Sequence, residues 1–136
     1  MSNIETVKTI YEAFGRGDVP TILSQLADDV DWELWEDNFG QNADVPYLRY
    51  KKGAAQVVEF FQEVAKLGIR EFKVLSVMEG ANQIAAEIEI ETAGYRDEEI
   101  HLWTFNPNGK VSRFRHYFDT AKHIAAAEKA KTLTAA

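Results

Sequence analysis

The sequence predicts an α+β domain in which helices cover one face of a curved antiparallel sheet, and three observations carry that prediction. Apolar residues in the first third recur at helical spacing. Four alternating runs in the second half are separated by the turn-rich segments Gly80-Ala81-Asn82, Ala93-Gly94-Tyr95 and Asn106-Pro107-Asn108-Gly109. A chain of 136 residues with 46% hydrophobic residues is large enough for a proper core. No internal repeat or low-complexity segment divides it, so residues 1–136 read as one domain.

Each element has its own signal. Ser2 and Glu5 have the spacing of a capping box, and Ile4, Val7, Ile10, Tyr11 and Phe14 repeat helically, so a first helix runs to Gly15. Asp18 caps a short second helix, Val19 to Leu26, whose first turn tolerates Pro20. From Val30 to Trp35, apolar and acidic residues alternate as in a half-buried strand, with Trp32 and Leu34 facing in. Residues 36–52 lack periodicity yet hold Phe39, Tyr47 and Tyr50. Such an aromatic loop reads as a lid over a pocket or as a partner surface, and Tyr50 is expected to place its hydroxyl in the pocket mouth. Ala54 to Leu67 forms a third helix, stopped by Gly68. Phe72 to Glu79, Gln83 to Thr92, Glu98 to Phe105 and Lys110 to Phe118 then make an antiparallel meander, and an Ala-rich helix follows Asp119.

Composition narrows the function. A formal charge of -7 with scattered basic residues argues against nucleic acid and anionic membranes as partners, because phosphate binding depends on clustered Lys and Arg. The absence of cysteine excludes disulfides and thiolate chemistry. No signal-peptide stretch or membrane span is visible, so the expected setting is cytoplasmic.

The chemistry is expected in the last third. Side chains alternate faces along a strand, so His101, Trp103 and Phe105 share one face, and Phe114, His116 and Phe118 share one face of the next strand. Where those faces meet, two imidazoles stand in an aromatic wall. Close imidazoles lower each other's proton affinity, which predicts one neutral base and one neutral donor. Trp32, Trp103, Phe114, Leu34 and Tyr50 are the expected ligand-binding residues around them. The plain alternative is a hydrogen-bonded core histidine at each position. Glu87, Glu89 and Glu91 share the opposite, outer face, where Arg113 and Arg115 also project. His123 is expected on the exposed side of the last helix, and three distant histidines predict no metal site.

The Ala27-Asp28-Asp29 step into the first strand, the run His101-Leu102-Trp103-Thr104-Phe105 and the ending Arg115-His116-Tyr117-Phe118-Asp119-Thr120 resemble the nuclear transport factor 2-like superfamily. Within it the chain is similar to the SnoaL-like branch, related to ketosteroid isomerase and limonene epoxide hydrolase. The resemblance implies a cystatin-like, cone-shaped sheet around an internal pocket, and homodimers formed through the outer sheet face. It implies no cofactor. In the isomerase the general-base Asp falls on Leu34, the oxyanion-binding Tyr near Ile10, with Tyr11 on a different facing, and the neutral acid on His101. In the epoxide hydrolase one catalytic carboxylate falls on His116, and its Arg and Asp partners fall near Ile88 and Ile90. Neither set is complete.

The resulting expectation is a cofactor-independent enzyme doing acid/base chemistry, of isomerase, lyase or hydrolase type, on a small apolar and possibly cyclic compound, with His116 and His101 as its catalytic residues. A non-catalytic ligand-binding or dimeric regulatory module on the same fold stands beside it.

Overall fold

The computed structural model describes residues 1–135. Five helices and six strands follow in the order α1 (Asn3–Gly15), α2 (Val19–Ser24), β1 (Leu26–Trp32), α3 (Phe39–Asn42), β2 (Lys51–Lys52), α4 (Ala54–Val64), β3 (Ile69–Gly80), β4 (Gln83–Thr92), β5 (Arg96–Phe105), β6 (Val111–Tyr117) and α5 (Thr120–Ala135). The strands form one sheet in the order β2-β1-β6-β5-β4-β3. All neighbours are antiparallel except β1 and β6, which are parallel.

The local signals act as expected at both ends of α1 and α4. Ser2 Oγ accepts the backbone N–H of Glu5 at 3.1 Å and caps α1. Gly53, with φ of 86°, leads into α4 where an added Cβ would stand 3.1 Å from the Asp28 carbonyl oxygen, and Gly68 ends the short 3-10 turn after α4 in the left-handed region. Helix α2 stops at Ser24, earlier than its apolar stripe implies, because Leu26 is already paired with Val111 of β6.

The inner face of the sheet meets α1, α2 and α4. Val7, Ile10 and Ala13 of α1, Ile22 of α2 and Val57 of α4 pack against Val30, Trp32, Trp103, Phe105 and Phe114 in one buried cluster. Each large side chain buried there contributes roughly 1.5–3 kcal/mol of hydrophobic stabilisation. The strand registers bring Trp103 opposite Phe114 and His101 opposite His116, and Phe114 opposite Trp32 on its other side. The aromatic wall predicted from strand parity is therefore continuous across three strands.

Two expectations about the first strand and the aromatic loop fail. Extended alternation ends at Trp32, because Glu33 takes a φ of 62° and rotates the chain. Leu34 consequently points away from the interior and is 44% exposed. In residues 36–52, Phe39 is 72% and Tyr50 42% exposed. The Tyr50 hydroxyl donates to Asp31 Oδ1 at 2.6 Å on the outside of the molecule. Only Tyr47 of the three loop aromatics is buried.

Candidate acid/base site

A cavity opens between the inner sheet face and helices α1 and α4, with about 70 Å³ open to the centres of water-sized molecules. Since roughly 10–15 Å³ on this measure holds one water, it accommodates a few waters or a small ligand group. Trp32, Trp103, Phe114, His101 and His116 line it; Leu34 and Tyr50 do not. Tyr11, expected on another facing, lines it as well.

The groups around His116 begin at the broken end of β1. Glu33 is only 1% exposed, and its Oε1 lies 2.6 Å from His116 Nδ1 and accepts the His116 backbone N–H at 2.9 Å. Its Oε2 accepts the Trp35 indole N–H at 2.9 Å. The backbone of Glu33 is held as firmly, since its N–H donates to the Phe114 carbonyl at 2.8 Å and its carbonyl accepts Gln41 Nε2–H at 2.7 Å. A left-handed non-glycine residue costs about 1–3 kcal/mol and persists only where its surroundings enforce it. These bonds enforce it, and the Arg115 guanidinium, 4.1 Å from the Trp35 ring centre and bonded to the Leu34 carbonyl, clamps the same turn from outside.

Burial alone would push the His116 proton affinity down, but the Glu33 carboxylate, by charge and hydrogen bond, and more weakly Glu99, raise it above the ordinary value. Where mutual lowering of the two imidazoles was expected, His116 is instead raised, by an acid on a strand end that alternation placed outside. Nδ1 faces Glu33, and Nε2 has no hydrogen-bond partner among the described residues.

His101 differs. Burial holds it below the ordinary histidine range, with the Glu99 hydrogen bond opposing only in part. Its Nε2 lies 3.2 Å from Glu99 Oε1 and its Nδ1 2.8 Å from the Tyr11 hydroxyl, which also accepts the Trp103 indole N–H at 3.0 Å. The Glu99 carboxylate stays ionised: burial favours its neutral form, but hydrogen bonds from His101 and His123 outweigh that and hold it well below the usual carboxylate range. An ionised carboxylate only accepts and an indole N–H only donates. The neutral tautomer is therefore fixed: His101 carries its proton on Nε2 for Glu99, and Nδ1 accepts from Tyr11.

Sequence reasoning missed the groups behind this pair. His123 is 1% exposed rather than on the outer side of its helix. Its Nε2 lies 2.9 Å from Asp97 Oδ2 and 3.2 Å from Glu99 Oε2, and its Nδ1 2.5 Å from the Tyr47 hydroxyl. Asp97 and Glu99 lie four and two residues before His101 on the buried face of β5, so strand parity already aligned them with the histidine. Asp97, Glu99 and His123 bring ligand-type atoms within 4.8 Å of one another, the one such set among the described residues. Their mutual hydrogen bonds satisfy each member. On the cavity wall the buried Trp32 indole Nε1–H also has no acceptor among the described residues.

Residues 7–118 match the SnoaL-like domain family, and the chain belongs to that family. Among solved structures it is similar to a nuclear transport factor 2-like protein of unknown function from Burkholderia pseudomallei, at 30% identity over 93% of this chain and 98% of that one, with a TM-score of 0.73. TerC, co-crystallised with polyporic acid, aligns at 26% identity over 93% and 98% of the two chains, with a TM-score of 0.72. A protein from Silicibacter pomeroyi described as having a cystatin-like fold aligns at 20% identity over 95% of this chain and 84% of that one, with a TM-score of 0.71, a likeness of fold alone. No curated protein matches the chain. Among the described residues, no helix is long and apolar enough to cross a membrane.

Proposed function

We propose that this chain is a cofactor-independent enzyme that moves protons on a small, apolar, oxygen-bearing compound, with His116 as the catalytic acid/base. The observation that carries this reading is the Glu33–His116 pair: a buried carboxylate 2.6 Å from Nδ1 leaves the Nε2 of that imidazole without a hydrogen-bond partner among the described residues, on the wall of an aromatic cavity. The carboxylate orients the ring and stabilises its charged form, as an acid behind a histidine does generally. A protonated Nε2 donates to a carbonyl or hydroxyl oxygen of the ligand, and the neutral imidazole that results takes a proton from a neighbouring carbon or water. That cycle serves an isomerisation or the loss of water and leaves the protein unchanged. The Trp32 indole N–H offers a second donor for a ligand oxygen, and Trp103 and Phe114 supply flat apolar walls. Glu33 fills the part that Leu34 cannot play in the isomerase comparison, one residue earlier and acting through His116. TerC, a relative at 26% identity that was crystallised with polyporic acid, supports reading the cavity as a small-molecule site.

The test is turnover and binding by the intact chain and by His116→Asn, using a panel of cyclic ketones and hydroxylated rings. Loss of turnover by at least about 100-fold with retained affinity supports the enzyme. Ligand affinity without turnover by either form supports the binding module.

The outer sheet face is proposed as a homodimer surface. Met78 and Tyr117 lie exposed on it, with Ala85, Ile100 and Leu102 between them in register. Sedimentation equilibrium of the intact chain and of Tyr117→Glu tests the pairing.

A further inference from the structure

We propose that the ligand is elongated and amphipathic, with its oxygen-bearing head among the histidines and an apolar tail in a second cavity between α1, α2 and α4; this inference rests on the deep-site reading above. The second cavity leaves about 280 Å³ open to the centres of water-sized molecules, several times the deep space. It is lined by Gly17, Val19 and Ala65 together with Phe14, Ile22, Phe61, Val64 and Ile69. Those last five residues also line the deep cavity, so they are the shared wall of the two spaces. None of the eight side chains carries a polar atom.

The chemistry of the combined space therefore changes along its length. Glu99, His101, His116 and His123 gather at the sheet end, and no polar side chain lines the helix end. A ligand with an oxygen function at one end and hydrocarbon at the other matches that gradient, because polar atoms find partners only at the deep end and apolar surface leaves water at the other. Phe14 and Phe61, whose ring centres are 6.2 Å apart, stand in the wall that the two spaces share. Gly17, with φ of 69°, contributes no side chain to the outer wall. A small compact ligand would occupy the deep space alone and leave this larger apolar space to water.

Isothermal titration calorimetry of the intact chain with 4-methyl-, 4-ethyl-, 4-butyl- and 4-hexylphenol tests the proposal. Each methylene entering an apolar site is expected to tighten binding about fourfold. In Ala65→Trp, and independently in Val19→Trp from the opposite wall, the ratio of 4-hexylphenol to 4-methylphenol affinity is expected to collapse toward one. Because the ratio is taken within each variant, a general loss of folding does not imitate the result. Binding of 4-methylphenol with no gain on lengthening, or a gain that persists in both variants, overturns the tail site and leaves the deep site standing. If no member of the series binds, the deep-site reading falls and the tail site falls with it.

Discussion

Glu33 Oε1 lies 2.6 Å from His116 Nδ1, although the two residues are 83 positions apart in the sequence, one just past the end of β1 and the other on β6. The carboxylate reaches the imidazole only because Glu33 has a φ of 62° at the end of β1. Replacing it by Gln removes the charge and keeps the shape. His116, raised by Glu33 against its burial, is then expected to drop below the ordinary histidine value, and turnover carried by the protonated ring is expected to fall with it.

The chain Trp103–Tyr11–His101–Glu99 predicts the effect of Tyr11→Phe. Removing the hydroxyl leaves the Trp103 N–H without its acceptor and His101 Nδ1 without its donor. A buried group left unsatisfied costs about 1–3 kcal/mol, so the variant is expected to be less stable by that order in urea denaturation, with its fold retained.

His123 between Asp97 and Glu99 is expected to be a larger contributor. His123→Phe keeps the ring's bulk but leaves two buried carboxylates facing each other without the imidazole. Breaking a buried pair in this way costs about 3–5 kcal/mol, and denaturant unfolding at neutral pH reads it directly.

Leu34→Ala is expected to change stability by no more than about 0.5 kcal/mol and to leave ligand binding unchanged, since the side chain is 44% exposed and off the cavity wall. An inward strand residue, as alternation predicts, would lose several times that on truncation. Thermal unfolding and a binding isotherm on this one variant distinguish the two positions.

The opposite shifts of His101 and His116 set a pH dependence. His101 is lowered when folded, so the unfolded chain binds the extra proton, and stability falls as pH drops below about 6.5. Glu99, also lowered, contributes stability above about pH 4.3 that is lost as pH falls through its folded value. His116 is raised, so its contribution is complete below about pH 6.5 and disappears as pH rises through its folded value. Stability is therefore expected to peak near pH 6.5 and to decline on both sides. In Glu33→Gln the alkaline decline is expected to vanish while the acid decline remains. A stability profile across pH 4–9 by urea titration checks both.

Much of this fold was legible from residue patterns, because helix caps and strand alternation are local. Ser2, Gly68 and the meander from β3 to β6 follow from such signals, and parity placed His101 against His116 correctly. The first strand misled because one backbone angle at Glu33 reverses which residue turns inward, and no composition or spacing marks a left-handed glutamate. Tyr50 misled for another reason: an aromatic ring satisfies itself at the surface when a partner such as Asp31 is near. Asp97 and Glu99 were within reach, since the period-two rule that aligned Trp103 with His101 extends to both. The burial of His123 was not, because the facing of α5 depends on how it docks against Tyr47 and Tyr95 from distant segments.

Glu33 is expected to make His116 the protonated group of the cavity while His101 stays neutral. An NMR titration of the imidazole signals in the intact chain and in Glu33→Gln tests it most directly. His116 is expected to titrate above 6.5 and His101 below it, with only His116 moving downward in the variant. A His116 signal that titrates at or below 6.5 in the intact chain, or does not respond to the loss of the Glu33 charge, contradicts it.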